Sequence, residues 1–431
     1  MSKPQKPQSS TRPNRCHVVA IWIDWYAYHR ARFAGLQEAL GIKSEVAGIE
    51  LVGGIGVHAG LIFREDLPPE LPVETLMPKA GWHEASKIRL SVMLWHRLSA
   101  LNPKIVLVPG YYTLPGITAA LWAKIHSRTS VLMTESTAED HKRSSWRESL
   151  KSAIIRSLFD WAITGGAAHV RYLIQLGFSP DRITRFYDVV DNNSLRENTL
   201  ELRRLTRPKD HGLPDRYFLF IGRLASEKNV SGLLRSWFLY REQGGTWPLV
   251  LVGDGPEAQE LRALAAPSAY RQDVHFLGHK SSKELIPCLS FASCFVLPSI
   301  REPWGLVVNE AMASSLPVIV SNRCGCAEDL VRHGHNGLVF NPDREIELTD
   351  CLSKIEKLSG GGLKEMGRAS AAQIADYSPL SFGKEIAFIL NYRHGSDEEF
   401  LTATPILVSS GLATSTRDSS NLPHGRREIT P

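Results

Sequence analysis

"SCFVLPSIREPWGLVVNEAMASSLPVIVS", residues 293–321, contains a strand, a loop, a helix and a second strand in one run. The apolar stretch "SCFVLPS" has strand length and stops at a proline. Pro303 and Gly305 then break the chain, "LVVNEAMASS" has helical character after them, and "PVIVS" resumes as a strand. Two continuous apolar strands joined through a helix read as neighbours in a buried parallel sheet.

The same stretch carries Glu302 and Glu310. On one unbroken α-helix, eight residues rise roughly 12 Å and turn to faces about 80° apart. Carboxylates that share work on one glycosidic bond stand about 5 to 9.5 Å apart, so a hydrolase pair is disfavoured. With the break at Pro303 and Gly305, Glu302 lies on the entering loop and Glu310 inside the helix, and the two have separate jobs.

Working outward, the pattern repeats on both sides. Downstream of residue 216, "YFLFIG", "PLVLVG", "VHFLG", "SCFVLPS", "PVIVS" and "GLVF" read as strands. Between and after them "NVSGLLRSWFLYRE", "EAQELRALA", "SKELIPCL", "GLVVNEAMAS" and "REIELTDCLSKIEK" read as helices. Upstream, "HVVAIWI", "KIVLVPG", "SVLMTE" and "WAITG" alternate with helical segments. Such alternation predicts an α/β chain with parallel sheets covered on both faces. At 431 residues the chain exceeds one ordinary core. The expected division is a tail at 1–15, a first Rossmann-like domain at 16–203, a charged Pro/Gly linker "RLTRPKDHGLPD" at 204–215, and a second at 216–376. A crossover helix at 377–393 and a polar tail at 394–431 follow. In doubly wound sheets ligands sit beyond the carboxyl ends of the strands, and two facing domains place the site in the cleft between them.

The formal charge of +5 is mild for this length and does not point to nucleic acid, while leaving room for anionic ligands or an acidic membrane surface. Six cysteines at irregular spacing do not make a disulfide framework, so a reducing cytoplasm is the default compartment. Cys324 and Cys326 lack the further ligands of a zinc site and read as small loop residues. No metal and no cofactor are expected. The start, "MSKPQKPQSSTRPNR", has no apolar core and is not a secretory signal. The uncharged run in residues 105–123 is cut by Pro109, Gly110, Pro115 and Gly116, which argues against a membrane span.

Candidate ligand contacts follow the strands. Arg223 and Lys228, in "RLASEKN", form either a diphosphate clamp or a pair of solvated surface cations. Gly253 and Gly255 make a tight turn before a helix. A helix beginning near Gly305 points unpaired N–H groups at the cleft, so Gly305, Leu306 and Val307 are candidate phosphate donors. Glu310, about a turn and a half inside the helix, is placed to accept from ribose hydroxyls, and Glu302 lies on the side of the group carried by the phosphate.

These segments, "FIGRLASEKN", "LVGDGPEAQELRALA", "VHFLGHKSSKEL", "VLPSIREPWGLVVNEAMASSLPVIVS" and "GHNGLVF" in that order, resemble the C-terminal half of the retaining glycosyltransferases of family 4, glycosyltransferase group 1. The resemblance covers roughly residues 217–345. It implies the GT-B fold of two facing Rossmann-like domains and transfer of a sugar from a nucleoside-diphosphate sugar to a hydroxyl acceptor with retained anomeric configuration. It further implies Arg223 and Lys228 on the diphosphate, Glu302 with Gly305 and Leu306 on the sugar and phosphate, Glu310 on the ribose, and the backbone around Phe276 and Leu277 near the base. A context in polysaccharide or glycolipid assembly and a saccharide or lipid-linked acceptor are family expectations. "RCGCAEDL" departs from the pattern, since a Gly-Gly pair is frequent where Cys324 and Gly325 stand.

The first half departs further. The glycine loop frequent after the first strand is missing from "AIWIDWYAYHRARF". Asp24, Tyr28, His29 and Arg32 cluster there, with His29 either a ligand contact or a polar surface residue and Asp24 a helix cap. After "SVLM", Thr134 and Glu135 stand where relatives often have His-Asp; Glu135 is a candidate for sugar hydroxyls or a loop cap. The basic stretch 141–161, with Trp146, Ile154, Ile155, Leu158 and Trp161, is either a surface helix for an anionic membrane or an ordinary packed helix. Two rival functions are a sugar-nucleotide epimerase of the same fold and a non-catalytic sugar-nucleotide-binding protein.

Overall fold

The computed structural model describes residues 16–41, 46–54, 71–138 and 145–394; the expected tails at 1–15 and from 395 on lie outside them. In the first half the chain runs β1 (Val18–Trp22), α1 (Ala27–Leu40), β2 (Val46–Val52), β3 (Val73–Met77), α2 (Lys87–Leu101), β4 (Ile105–Pro109) and α3 (Leu114–Ile125). It continues through β5 (Thr129–Thr134), α4 (Ser145–Leu158), β6 (Trp161–Thr164), α5 (Ala167–Gln175), the short β7 (Ile183–Thr184) and α6 (Asn192–Leu205). The seven strands are ordered β3-β2-β1-β4-β5-β6-β7, and every pairing is parallel. Strand order reverses between β1 and β4, so the loops that follow those strands open a crevice at the carboxyl edge.

The second half runs β8 (Phe218–Ile221), α7 (Val230–Glu242), β9 (Leu249–Val252), α8 (Ala258–Ala265), β10 (Val274–Gly278) and α9 (Ser282–Phe291). Then come β11 (Cys294–Leu297), α10 (Leu306–Ala313), β12 (Val318–Ser321), α11 (Ala327–Leu330), β13 (Gly337–Phe340), α12 (Glu345–Lys357), α13 (Gly360–Ile374) and α14 (Pro379–His394). This sheet is also parallel, ordered β10-β9-β8-β11-β12-β13. Its strands are buried on both faces, with Phe218, Leu219, Val250, Phe295, Val296 and Ile319 all inaccessible. That burial is why they read as unbroken apolar runs.

Two features join the halves. Helix α6 lies before the charged segment 204–215 and packs against α9 and α10 of the second sheet, where Arg203 donates to the carbonyls of Ser290 and Ser314. Helix α14 returns to α1, and the backbones touch: a Cβ on Gly35 would sit 2.0 Å from the Pro379 carbonyl oxygen, and one on Gly383 2.2 Å from the Gly35 oxygen. Only glycine permits that approach. Between the sheets, Phe186, Tyr187, Trp304 and Tyr377 belong to one continuous core that also contains β8 and β11.

Trp161, grouped in the sequence with a basic amphipathic helix, is the first residue of β6 and is buried. Ile155 of α4 is also buried, so the apolar side of that helix lies on its own sheet; residues 141–144 lie outside those described. All six cysteines are buried free thiols.

Candidate functional site

The carboxyl ends of β8, β9 and β11 converge. After β8 the chain turns through Gly222 and Arg223 into a short 3-10 turn, Ser226–Lys228, closed by Asn229 in the left-handed region at φ 53°. Asn229 donates from its side-chain amide to the Pro298 carbonyl at 3.3 Å, and Ile300 N–H donates to the Glu227 carbonyl at 2.9 Å. These bonds fasten the β8 loop to the β11 loop, which brings the Lys228 ammonium onto the Glu302 carboxylate. Glu302 also accepts from Ser299 Oγ at 3.2 Å. Arg223, earlier in the same loop, is exposed.

Gly305 sits at φ 102° as the residue capping α10. A side chain there would be strained in any case and would meet Leu297 at 3.0 Å and the Glu302 Cγ at 3.3 Å. Its carbonyl accepts from Val308 N–H at 2.8 Å. Among the described residues no acceptor is recorded for the N–H groups of Gly305, Leu306 and Val307. The helix therefore starts with three unpaired donors and its positive end against Glu302, the partner of Lys228.

Glu310 is half-buried and has no hydrogen bond or ion pair to its carboxyl among the described residues. Burial alone pushes it up to about 7. Gly253, at φ 139°, faces backbone, since a Cβ would stand 1.8 Å from the Gly222 carbonyl oxygen. Its glycine is needed to let the β8 and β9 loops close on each other, where Leu224 N–H donates to the Asp254 carbonyl at 2.9 Å. Phe276 and Leu277 are half-buried where β10 bulges before Gly278. The Phe276 ring lies under the Arg262 guanidinium at 4.6 Å, which leaves the bulged backbone as the part available to a ligand.

Across the cleft, Tyr28 in the first turn of α1 has its hydroxyl pushed up by burial, then by the negative field of Glu310; Arg32 opposes the shift and Glu135 adds to it. Tyr28 is thus within electrostatic reach of carboxylates from both halves. His29 accepts from the Tyr26 N–H through Nδ1 at 3.2 Å and stacks on Trp22 with centroids 5.1 Å apart. The helix start is capped by His29, while Asp24 accepts from the Tyr26 hydroxyl at 2.7 Å.

The sequence reading missed Asp188, which lies with Glu135 at the centre of this wall. Asp188 is fully buried, receives Arg32 Nη2 on Oδ1 at 3.3 Å, and has no donor to Oδ2. Its carboxyl is held well above the ordinary range, by burial first and then by Glu135, against the pull of Arg32. Arg32 also lies 4.0 Å over the Tyr187 ring. The only sequence signal for Asp188 is an aspartate in the turn after β7.

The same segment carries the bridge between halves. Asn309 of α10 donates to the Asp188 carbonyl at 2.9 Å and accepts from Trp304 Nε1 at 2.9 Å. Asp329 accepts from Ala167 N–H at 2.9 Å and pairs with Arg185 at 3.4 Å. The "RCGCAEDL" loop fits without a second glycine, since Cys324 is buried and Gly325 N–H donates to the Glu302 carbonyl at 2.9 Å. A Cβ on Gly325 would stand 1.7 Å from the Pro303 carbonyl oxygen, so the close approach it permits is to protein backbone. No group of three or more His, Cys, Asp or Glu side chains arranged to hold a metal ion occurs among the described residues.

Residues 204–373, which contain Arg223, Lys228, Glu302 and Glu310, match the family model of glycosyl transferases group 1. That stretch, which holds the second sheet, is similar to the glycosyltransferases of group 1. Among curated relatives, an alpha-D-kanosaminyltransferase of Streptomyces kanamyceticus is 28% identical over 201 residues, covering 46% of this chain and 51% of the relative. The sulfoquinovosyl transferase SQD2 of Arabidopsis thaliana is 30% identical over 225 residues, 50% of this chain and 41% of that one. The chain spans about half the length of the curated relatives it matches.

Solved structures extend the likeness over both halves. Anabaena HepE in complex with UDP superposes with a TM-score of 0.66 at 17% identity, covering 87% of this chain and 100% of the other. Sucrose-phosphate synthase of Thermosynechococcus elongatus gives 0.64 at 16% identity, covering 88% and 98%. With the two parallel sheets, these neighbours give the chain the two-domain GT-B fold, in which the stretch that matches the group 1 model is the second of the pair.

Proposed function

We propose that the protein transfers a sugar, of hexosyl type, from a nucleoside-diphosphate sugar to a hydroxyl acceptor with retention of anomeric configuration, in polysaccharide or glycolipid assembly. The observation that carries this reading is the Lys228–Glu302 pair against the glycine-capped start of α10, whose first N–H groups have no acceptor among the described residues. Negative charge grows on the leaving diphosphate during transfer, and donors already fixed in place stabilise it without reorganising. Charge neutralisation is assigned to these groups rather than to a metal. Glu302, now held by Lys228, takes the sugar side when the diphosphate draws the ammonium away, and Glu310 takes the ribose. In a front-face reaction the departing phosphate oxygen receives the acceptor proton, and no protein base is required. Glu135, Tyr28 and the exposed edge of α1 form the acceptor wall.

Support comes from the group 1 match and from the fold shared with a UDP-bound neighbour. The test is a thermal-shift panel of UDP, GDP and ADP sugars, since a ligand that binds the folded state raises its melting temperature, followed by transfer assays on Lys228→Ala. Stabilisation by no nucleoside diphosphate sinks the reading. The Glu135–Asp188 pair favours one rival, an epimerase, because two carboxyl groups near a sugar ring suit acid/base chemistry. Sugar-nucleotide isomers formed without an acceptor would decide for that rival.

A further inference from the structure

Helices α2, α3 and α4 cover one face of the first sheet, α3 packing between the other two. Their inner sides supply Leu90, Leu94, Leu98, Ala119, Ala123 and Ile155 to the core beneath. Their outer sides are apolar as well. Of the fourteen large hydrophobic side chains exposed among the described residues, eight lie on these helices and the turn into α3. On α2 the outward stripe is Ile88 and Val92, on α3 Leu121 and Ile125, on α4 Trp146 and Leu150, with exposures from 42% at Leu121 to 70% at Ile88. An apolar concentration of this size on one surface marks an interaction site.

The charge on the same helices is one-sided. Their sequences contain Lys87, Arg89, Arg97, Lys124, Arg147, Lys151 and Arg156 against a single carboxylate, Glu148, which pairs with Lys151. The whole chain is nearly balanced, with 50 cations and 45 acids, so seven against one on three helices is a local excess, reduced by the pairing of Arg97 with Glu74 of β3. A protein partner or a second copy with a matching surface would need an acidic apolar face, and no other described surface has a comparable apolar concentration. Cations beside large exposed apolar side chains, Trp146 among them, match the two layers of an anionic bilayer, headgroups and acyl boundary.

We infer that the outer face of α2, α3 and α4 docks on the surface of an anionic membrane. No helix among the described residues is long and apolar enough to cross one, so the contact is peripheral. The orientation has a consequence for the cleft: Tyr111, in the turn into α3, meets Ser136 at 3.3 Å, next to Glu135. The docked face therefore ends at the rim of the proposed acceptor wall, and the cleft opens at the bilayer. That last consequence rests on the proposed transferase function; the docking does not.

Flotation of the full chain with vesicles tests it, using about one third phosphatidylglycerol in phosphatidylcholine against phosphatidylcholine alone. Binding to the anionic vesicles only, weakened by salt, is expected. Each cation near the surface is worth about fivefold in partitioning, so Arg89→Glu with Arg147→Glu should weaken binding by at least about tenfold. Ile88→Ser with Trp146→Ser should weaken it while leaving the charge unchanged. Melting temperature and nucleotide-induced stabilisation should be unaffected in both variants, which separates failure of docking from failure of the donor site. No flotation, flotation undiminished by both variants, or a dimer in sedimentation velocity that the same substitutions dissociate would overturn the inference.

Discussion

Replacing Glu310 with glutamine should make the protein more stable and a poorer ligand binder at once. The Glu310 carboxyl is raised from 4.5 to about 7 by burial, with no cation to offset it. A group with a raised folded value contributes stability in full below its unfolded value and loses it as pH rises through the folded one. At 1.36 kcal/mol per unit, ionising Glu310 in place costs about 3 kcal/mol by pH 8. Glutamine removes that cost but brings amide donors worth about 1 kcal/mol if unpaired. The residue keeps some solvent contact, so a net gain of about 1–2 kcal/mol remains, or about 3–6 °C for a domain of this size. Differential scanning fluorimetry of both proteins at pH 4.5 and pH 8 should show the gain only at the higher pH. Nucleoside-diphosphate affinity should fall about tenfold or more, since a ribose hydroxyl bonded to a charged acceptor contributes about 1.5–3 kcal/mol. A variant equally stabilised at both pH values would refute the burial argument, and unchanged nucleotide affinity would remove Glu310 from the ribose.

Lys228→Ala should lower kcat/KM for the donor by about 10²–10³-fold, the usual loss when one fixed donor to developing charge is removed, with little change in melting temperature because Glu302 keeps Ser299. Arg32→Met strips the cation from buried Asp188 and should destabilise the first domain by about 3 kcal/mol in urea unfolding; a loss below about 1 kcal/mol would mean that Asp188 is neutral in the folded protein, so that no charge is left unpaired. Gly253→Ala drives a methyl into the Gly222 carbonyl at φ 139°, so soluble yield and melting temperature should both drop sharply. Asn309→Ala removes the bridge to the Asp188 carbonyl and should raise the donor KM through loosened domain alignment; an unchanged KM with lowered stability would limit Asn309 to a structural role.

Which parts were legible follows from burial. All six strands of the second sheet read directly, because strands covered on both faces contain little but apolar residues. In the first sheet β2 and β3 escaped, since "VAGIELV" and "VETLM" carry Glu50 and Glu74 inside the strand. Glu50 is fully buried yet satisfied, accepting from Trp25 N–H at 3.1 Å and Thr75 Oγ1 at 2.6 Å; nothing local announces those partners. Helix α13 begins with three glycines, poor helix formers, and Ser359 caps it by accepting from Gly362 N–H.

The proposed donor side of the cleft could be named from the sequence because its chemistry is local: a turn carrying Arg223 and Lys228, and a glycine-capped helix with Glu310 inside it. The opposite wall depends on pairings across long separations, Arg32 with Asp188 and Asp188 with Asn309, which no periodicity records. The two walls meet in residue 188, whose side chain faces Arg32 and Glu135 while its carbonyl receives α10. A shift of α10 on donor binding would therefore be felt directly at the carboxyl pair on the acceptor side, through one residue and two hydrogen bonds. That connection predicts that the Asn309→Ala variant alters the pH profile of the proposed transfer as well as donor affinity. An unshifted profile at normal stability would show that the walls act independently.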